Sequence, residues 1–276
     1  TGPGAAKAPG TFILDTGANR SAVSPRLAAE LGLPAAGSET LMVHGVTGSA
    51  PLAAVEVRKL QVGEIVLEDL RLPVLPPNVF ADADGILGVE GLQHARVEVD
   101  LVNDRLWVRP STGRRPPNEY LSIPARFERG LMLVDGKIGR IPVRVIIDTG
   151  AERTLGNAPL RDALMQHLRA GDHVADATVI GATPDKQEGL SFVVPTIRLG
   201  EARLDELPVT FGDLHVFSIW GLTGQPALLV GMDLLGSLDR LVVDYRREEF
   251  MIKLRRGDDI VIRQCRRAAC GSRVMD

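Results

Sequence analysis

Read as a pattern of apolar and polar positions, the chain is mainly short strand-like runs broken by turns. Residues 141–147 form a β-branched run suited to a buried strand, and Asp135-Gly136 ahead of it offers a hairpin turn. Helical signals are few. Ser24-Pro25 followed by Leu27, Ala28 and Leu31, then Gly32, supplies a cap, a first-turn proline and a glycine stop. Residues 159–168, stopped near Gly171, repeat that arrangement. The pattern predicts an all-β protein in which each half carries one or two short helices, with 29 Gly and 18 Pro supplying the turns.

The pattern also occurs twice. Phe12-Ile13-Leu14-Asp15-Thr16-Gly17-Ala18 returns as Val145-Ile146-Ile147-Asp148-Thr149-Gly150-Ala151, 133 residues on. Val62-Gly63-Glu64 returns as Leu199-Gly200-Glu201, and Gly85-Ile86-Leu87-Gly88 as Leu228-Leu229-Val230-Gly231. Val97-Glu98-Val99-Asp100 returns as Leu241-Val242-Val243-Asp244. The order is kept while the spacing widens, as when loops gain residues and strands do not. Two copies of such a long period mean duplicated lobes, not a solenoid. The boundaries read as a first lobe over 1–110, a linker over 111–119, a second lobe over 120–256, and a C-terminal strand and tail over 257–276. The linker, rich in Pro and Arg, reads as exposed. The first lobe has only ten weakly structured residues before Thr11, where the second has about twenty of strand and turn. Its opening strand is absent, lies upstream of Thr1, or is replaced by the strand around Ile260-Val261-Ile262.

Composition narrows the chemistry. Thirty-two basic and 35 acidic side chains leave a net charge of −3, and 11 aromatic residues offer no stacking platform, so nucleic acid is not an expected partner. No apolar run reaches the length of a membrane helix. Phosphate-loop, zinc-protease and nucleophilic-serine motifs are missing, and the five histidines show no ligand spacing, so neither metal nor cofactor is expected. Asn19-Arg20-Ser21 is a glycosylation sequon that reads as unused. Of the basic residues 27 are Arg, a bias of GC-rich bacterial genomes. Cys265 and Cys270, the only cysteines, are expected to form a local disulfide, which favours a periplasmic or otherwise exported location.

One Asp-Thr-Gly is weak evidence, but here each follows three apolar residues, precedes Ala, and is answered later by two apolar residues and Gly. With these features the chain resembles an aspartic protease of the retropepsin-like kind, with two lobes fused in one chain. The resemblance covers nearly the whole sequence except the linker and the tail after about Arg256. It implies a pseudo-two-fold pair of lobes, a polypeptide substrate lying between them, and a monomer whose lobes pair within one chain. It makes Asp15 and Asp148 the catalytic dyad, supported by Thr16, Gly17 and Ala18 and by Thr149, Gly150 and Ala151. Threonines would bond across the lobes, glycines would admit backbone amides, and 86–88 and 229–231 would thread behind the loops. Flap hairpins are expected at 43–48 and 179–184, with His44, Gly45, Val46, Ile180, Gly181 and Ala182 facing the substrate. Neither carries the flap tyrosine of pepsin-like enzymes. The alternative is a catalytically silent peptide-binding scaffold, or an unprocessed precursor, on the same fold.

Overall fold

The computed structural model describes residues 8–37, 40–114, 119–167, 173–183, 185–205 and 207–255. Cys265, Cys270, the strand around 260–262, Gly171 and Pro184 lie outside the described residues.

In the first lobe, β1 (Phe12–Leu14) leads into the Asp15 loop, followed by β2 (Ala22–Val23) and α1 (Pro25–Glu30). The hairpins β3 (Leu41–His44)–β4 (Ser49–Leu52) and β5 (Ala54–Val62)–β6 (Ile65–Pro73) come next. A 3-10 turn at Pro77–Val79 then precedes β7 (Gly85–Leu87), β8 (Ala95–Asp100) and β9 (Arg105–Pro110). Helix α1 starts where Ser24 Oγ accepts the Leu27 amide at 3.1 Å and Pro25 presets the first turn. Such a cap contributes about 1 kcal/mol. Gly32, at φ 54°, ends it in the left-handed region.

The second lobe opens with the hairpin β10 (Leu121–Glu128)–β11 (Leu131–Ile138), then β12 (Ile141–Ile147), β13 (Leu155–Gly156) and α2 (Ala158–Met165). The long hairpin β14 (Ala175–Ile180)–β15 (Lys186–Val194) and the short one β16 (Ile197–Leu199)–β17 (Ala202–Leu204) follow. After β18 (Leu207–Phe211) come α3 (His215–Ile219), β19 (Ala227–Val230), α4 (Met232–Leu235), β20 (Arg240–Asp244) and β21 (Glu249–Lys253). Asp135-Gly136 is not the hairpin turn its composition suggests. Both residues lie inside β11, and the turn is made at Gly139-Arg140, with Gly139 at φ 57°. Asp135 takes cross-strand bonds from Arg126 and Arg144, and a side chain on Gly136 would meet Leu199 at 2.8 Å. Sheet packing therefore overrides the local turn preference.

The two lobes share one plan. In the first, β7 lies between β1, parallel, and β2, antiparallel, so that Ile13 and Ala22 both face Ile86. In the second, β19 lies between β12, parallel, and β13, antiparallel, so that Ile146 and Leu155 both face Leu229. The lobes join in a floor sheet of order β9-β8-β20-β21-β10. At its centre the repeated segments pair with each other, Val97 opposite Val243 and Asp100 opposite Arg240. Val97, Leu241 and Val243 are fully buried, so one apolar core runs beneath both lobes.

The segment after β9 is not simply solvated. Ser111 is buried, and its hydroxyl donates to both oxygens of the fully buried Asp244 at 2.7 and 2.9 Å. Arg246 and Arg247 of the second lobe donate to the carbonyls of Ser111 and Gly113. Among the described residues the first lobe has no counterpart of the β10–β11 hairpin. Replacing Ser111 by Ala removes a charge-assisted bond from a buried carboxylate and should cost about 1–3 kcal/mol. Urea unfolding should show a lower midpoint at unchanged slope, and an unchanged midpoint would refute the anchor.

Candidate active site

Each Asp sits at the end of a strand held on one side by the central strand of its lobe. The Asp15 amide donates to Leu87 O at 2.9 Å and the Asp148 amide to Val230 O at 3.0 Å. The loops then turn sharply, and the Gly17 and Gly150 amides each reach back to their own Asp Oδ1 at 2.9 Å. The Ala151 amide adds a bond to Asp148 at 3.2 Å.

The loops interlock across the lobe boundary. Thr16 Oγ1 donates to Ile147 O at 2.7 Å, and Thr149 Oγ1 donates to Leu14 O at 2.6 Å. Each hydroxyl also accepts the backbone amide of the other threonine, at 3.1 and 3.2 Å. The glycines are needed because each faces the other lobe's carboxyl. A β-carbon on Gly17 would lie 2.4 Å from Asp148 Oδ2, and one on Gly150 would lie 2.3 Å from Asp15 Cγ. The structure thus brings Asp15, Thr16, Gly17, Asp148, Thr149 and Gly150 to one point.

Electrostatics sets the state of that point. Removal from water pushes the Asp15 carboxyl well above the ordinary carboxylate range, and the neighbouring Asp148 charge and hydrogen bond push it further. Burial raises Asp148 as well, held back by hydrogen bonds from the Gly150 amide, the Asp15 carboxyl and the amides of Ala151 and Gly17. The two carboxyls therefore titrate as a coupled pair, holding protons to higher pH than isolated carboxylates would.

Behind the loops, residues 86–88 and 229–231 pack against the turns. A β-carbon on Gly88 would lie 2.7 Å from Ala18 O, and one on Gly231 would lie 2.8 Å from Ala151 O. Here the structure adds residues that sequence reasoning missed. Ser21 Oγ accepts the Gly88 amide and Thr154 Oγ1 accepts the Gly231 amide, at 3.1 and 3.2 Å. The Ser21 and Thr154 amides in turn donate to Glu90 and Asp233, both at 2.9 Å. Ser21 and Thr154 each stand six residues after their Asp, and Glu90 and Asp233 two after their Gly. Aligning the two repeats through these gaps would have found them.

The flap candidates divide. The β3–β4 hairpin closes with the Gly45 amide on Gly48 O at 2.8 Å. Its tip meets the tip of β14–β15, where Thr47 Oγ1 and Thr183 Oγ1 lie 3.2 Å apart and both residues are buried. Gly45 packs on Thr183, Gly181 packs on Thr47 and the Val46 amide, and Val46 O accepts from the Val216 amide at 3.3 Å. Ala182 is half-buried at the second tip. Ile180 instead turns outward, 63% exposed, while its neighbour Val179 fills the apolar cluster. Strand alternation explains the swap. His44 is exposed and bonds Ser49 Oγ at 2.6 Å, and His215 Nε2 reaches the same oxygen at 2.7 Å. The pairing of the two threonines across the tips was not anticipated.

A family model for aspartyl proteases matches residues 4–90 and 134–234, one segment in each lobe, each holding one Asp-Thr-Gly. The chain belongs to the aspartyl protease family. Among solved structures it is similar to a retropepsin-like aspartic protease from Rickettsia conorii. That match has 14% identity and a TM-score of 0.33, over 49% of this chain and 90% of that one. No curated protein matches the chain. Among the described residues no three His, Cys, Asp or Glu side chains gather as for a metal ion, and no helix is long and apolar enough to cross a membrane.

Two outcomes follow from this geometry. Thr16→Val strands the Ile147 carbonyl and the Thr149 amide, and should destabilise the protein by about 2–4 kcal/mol. Chemical denaturation checks it, and a change within error would mean that the cross-lobe bonds contribute nothing. The second concerns pH. Because the folded dyad's pKa is raised, its contribution to stability is complete below the ordinary carboxylate pKa and is lost as pH rises through the raised value. Asp15→Asn keeps a neutral side chain at all pH, so it should melt above the wild type at neutral pH, with the gap closing toward about pH 4. A gap independent of pH would show that no proton is shared.

Proposed function

We propose that Asp15 and Asp148 activate one water to hydrolyse peptide bonds of an extended polypeptide held between the lobes. The observation that supports this is the meeting of two carboxyls at the lobe boundary, where one shared proton supplies base and acid together. The ionised carboxylate takes a proton from water as its oxygen adds to the carbonyl carbon, and the protonated partner gives its proton to the carbonyl oxygen. In the second step the protonated carboxyl gives its proton to the amide nitrogen, the ionised one takes a proton from a diol hydroxyl, the C–N bond breaks, and a carboxylic acid and an amine leave with the dyad back at one proton. The threonine bonds keep the carboxyls in register. The flaps, meeting at Thr47 and Thr183, exclude water over the cleft and must part to admit substrate. Apolar clusters underlie both flap hairpins, Val43 and Leu52 with Phe80 in one and Val46 and Val179 with Val216 in the other, which favours hydrophobic side chains beside the scissile bond.

Asp15→Asn and Asp148→Asn should each lower turnover of a mixed peptide library by at least about a thousandfold, with the fold intact by circular dichroism. Near-normal cleavage by either variant would overturn the dyad, and a wild-type chain that binds peptides without cutting them would favour the silent scaffold. Ala18 and Ala151 place no hydroxyl beside the carboxylates, so the optimum should fall at about pH 4.5–6.5. Ser at both positions should move the profile toward acid by stabilising the charged form. An unmoved profile would show that another group sets it.

A further inference from the structure

Besides meeting the second flap at its tip, the first lobe's flap touches α3 through a polar contact that the dyad chemistry does not use. His44 and Ser49 face each other across the β3–β4 hairpin, and His215 opens α3 on the other lobe. Ser49 Oγ lies 2.6 Å from His44 Nδ1 and 2.7 Å from His215 Nε2, so two imidazoles converge on one hydroxyl. Their ring centroids are 6.2 Å apart. The next residue of α3 adds a second bond, from the Val216 amide to Val46 O at 3.3 Å. In the first turn of a helix that amide has no carbonyl of its own helix to meet, so the flap supplies one.

Proton counting shows what this contact tolerates. A hydroxyl has one proton to give and two lone pairs with which to accept. With both imidazoles neutral, Ser49 donates to one ring and accepts an N–H from the other. One added proton keeps both bonds: the charged ring donates to Ser49, which still donates to the neutral ring. A second added proton puts two donors on Ser49 Oγ and turns the serine proton away to water. It also sets two positive rings 6.2 Å apart. Repulsion at that separation shifts an equilibrium by about threefold through water and about a hundredfold at the effective dielectric near a protein surface.

The surroundings do not cancel this charge. Beyond His44, flap residues 41–52 carry no charged side chain, and residues 216–220 of α3 carry none. Asp213 precedes α3, and the β14–β15 hairpin brings Asp185, Lys186 and Glu188. Asp185 packs its carboxylate against Gly48, where one negative charge offsets one imidazolium and not two. Glu188 accepts from the Thr178 hydroxyl. Among the described residues neither imidazole forms an ion pair.

We propose that His44, Ser49 and His215 form an acid-released latch, which holds the first flap on α3 near neutral pH and frees it when both rings are charged. Imidazole is the side chain whose charge changes between about pH 5 and 8. The closed latch resists the second proton and the open flap does not, so acid favours the open flap. The inference rests on the reading that the flaps admit a polypeptide to the dyad. The acidification that lets the dyad keep a proton then also opens the way in.

The test reads the Val216 amide, whose exchange with solvent reports release of the flap from α3. Its protection, corrected for the intrinsic exchange rate, is measured by NMR in the 276-residue chain at about pH 7.5 and about pH 5. In the wild type it should fall by at least about threefold on acidification. His44→Gln and His215→Gln each keep a donor and an acceptor but leave a single titrating ring, so the fall should vanish in both. Ser49→Ala removes the common oxygen, and protection should be low at both pH values. Equal wild-type protection at the two pH values overturns the latch, as does a fall of the same size in the glutamine variants. A fall shared to the same degree by the buried amides of Ile146 and Ile147 also overturns it, because the whole fold then loosens. Exchange does not depend on cleavage. A chain that latches but cuts no peptide overturns the dyad alone, and one that cuts without the acid step overturns the latch alone.

Discussion

Two carboxyls that must not both ionise, held within reach of each other, are the constraint around which this molecule is arranged. In water, two such groups repel and separate. Here each is fixed at the end of a strand, its loop is locked to the other lobe by a threonine, and a glycine without a β-carbon makes room for the opposing carboxyl. The second ring of contacts, Ser21 with Glu90 and Thr154 with Asp233, ties each loop to the segment threading behind it. Loss of any one part would let the charges move apart, and the raised affinity for the shared proton would fall with them.

Much of this could be read from residues alone, because the duplication let each half serve as a reference for the other. Asp-Thr-Gly preceded by three apolar residues means little once and a good deal twice. The Ser24-Pro25 cap was legible because capping is local chemistry. The turn suggested by Asp135-Gly136 was not, since the need for Gly136 comes from β16, more than sixty residues further along. The burial of Ser111 was hidden for the same reason: its partner, Asp244, is 133 residues away. The outward turn of Ile180 depends on strand register, which a stretch of mixed polar and apolar residues leaves open.

The departures from symmetry are as informative as the symmetry. The lobes agree closely around the carboxyls and behind them, where the same bonds recur in each half. They diverge at the periphery. The second lobe adds the one-turn helices α3 and α4, and α3 receives the tip of the first lobe's flap. The β10–β11 hairpin stitches the second lobe into one continuous sheet, while among the described residues the first-lobe strands other than β8 and β9 form three separate small sheets.

The bond from Thr149 to the Leu14 carbonyl joins residues 135 positions apart, and the central strand that supports Asp148 lies further on still, at Ala227–Val230. During synthesis the first half of the chain emerges with a single carboxyl, unpaired and free to ionise like any other. The pair comes into being only once β19, late in the second lobe, has left the ribosome and taken its place. Timing is thus built into connectivity. The dyad proposed above is therefore not assembled while the chain is still unfinished.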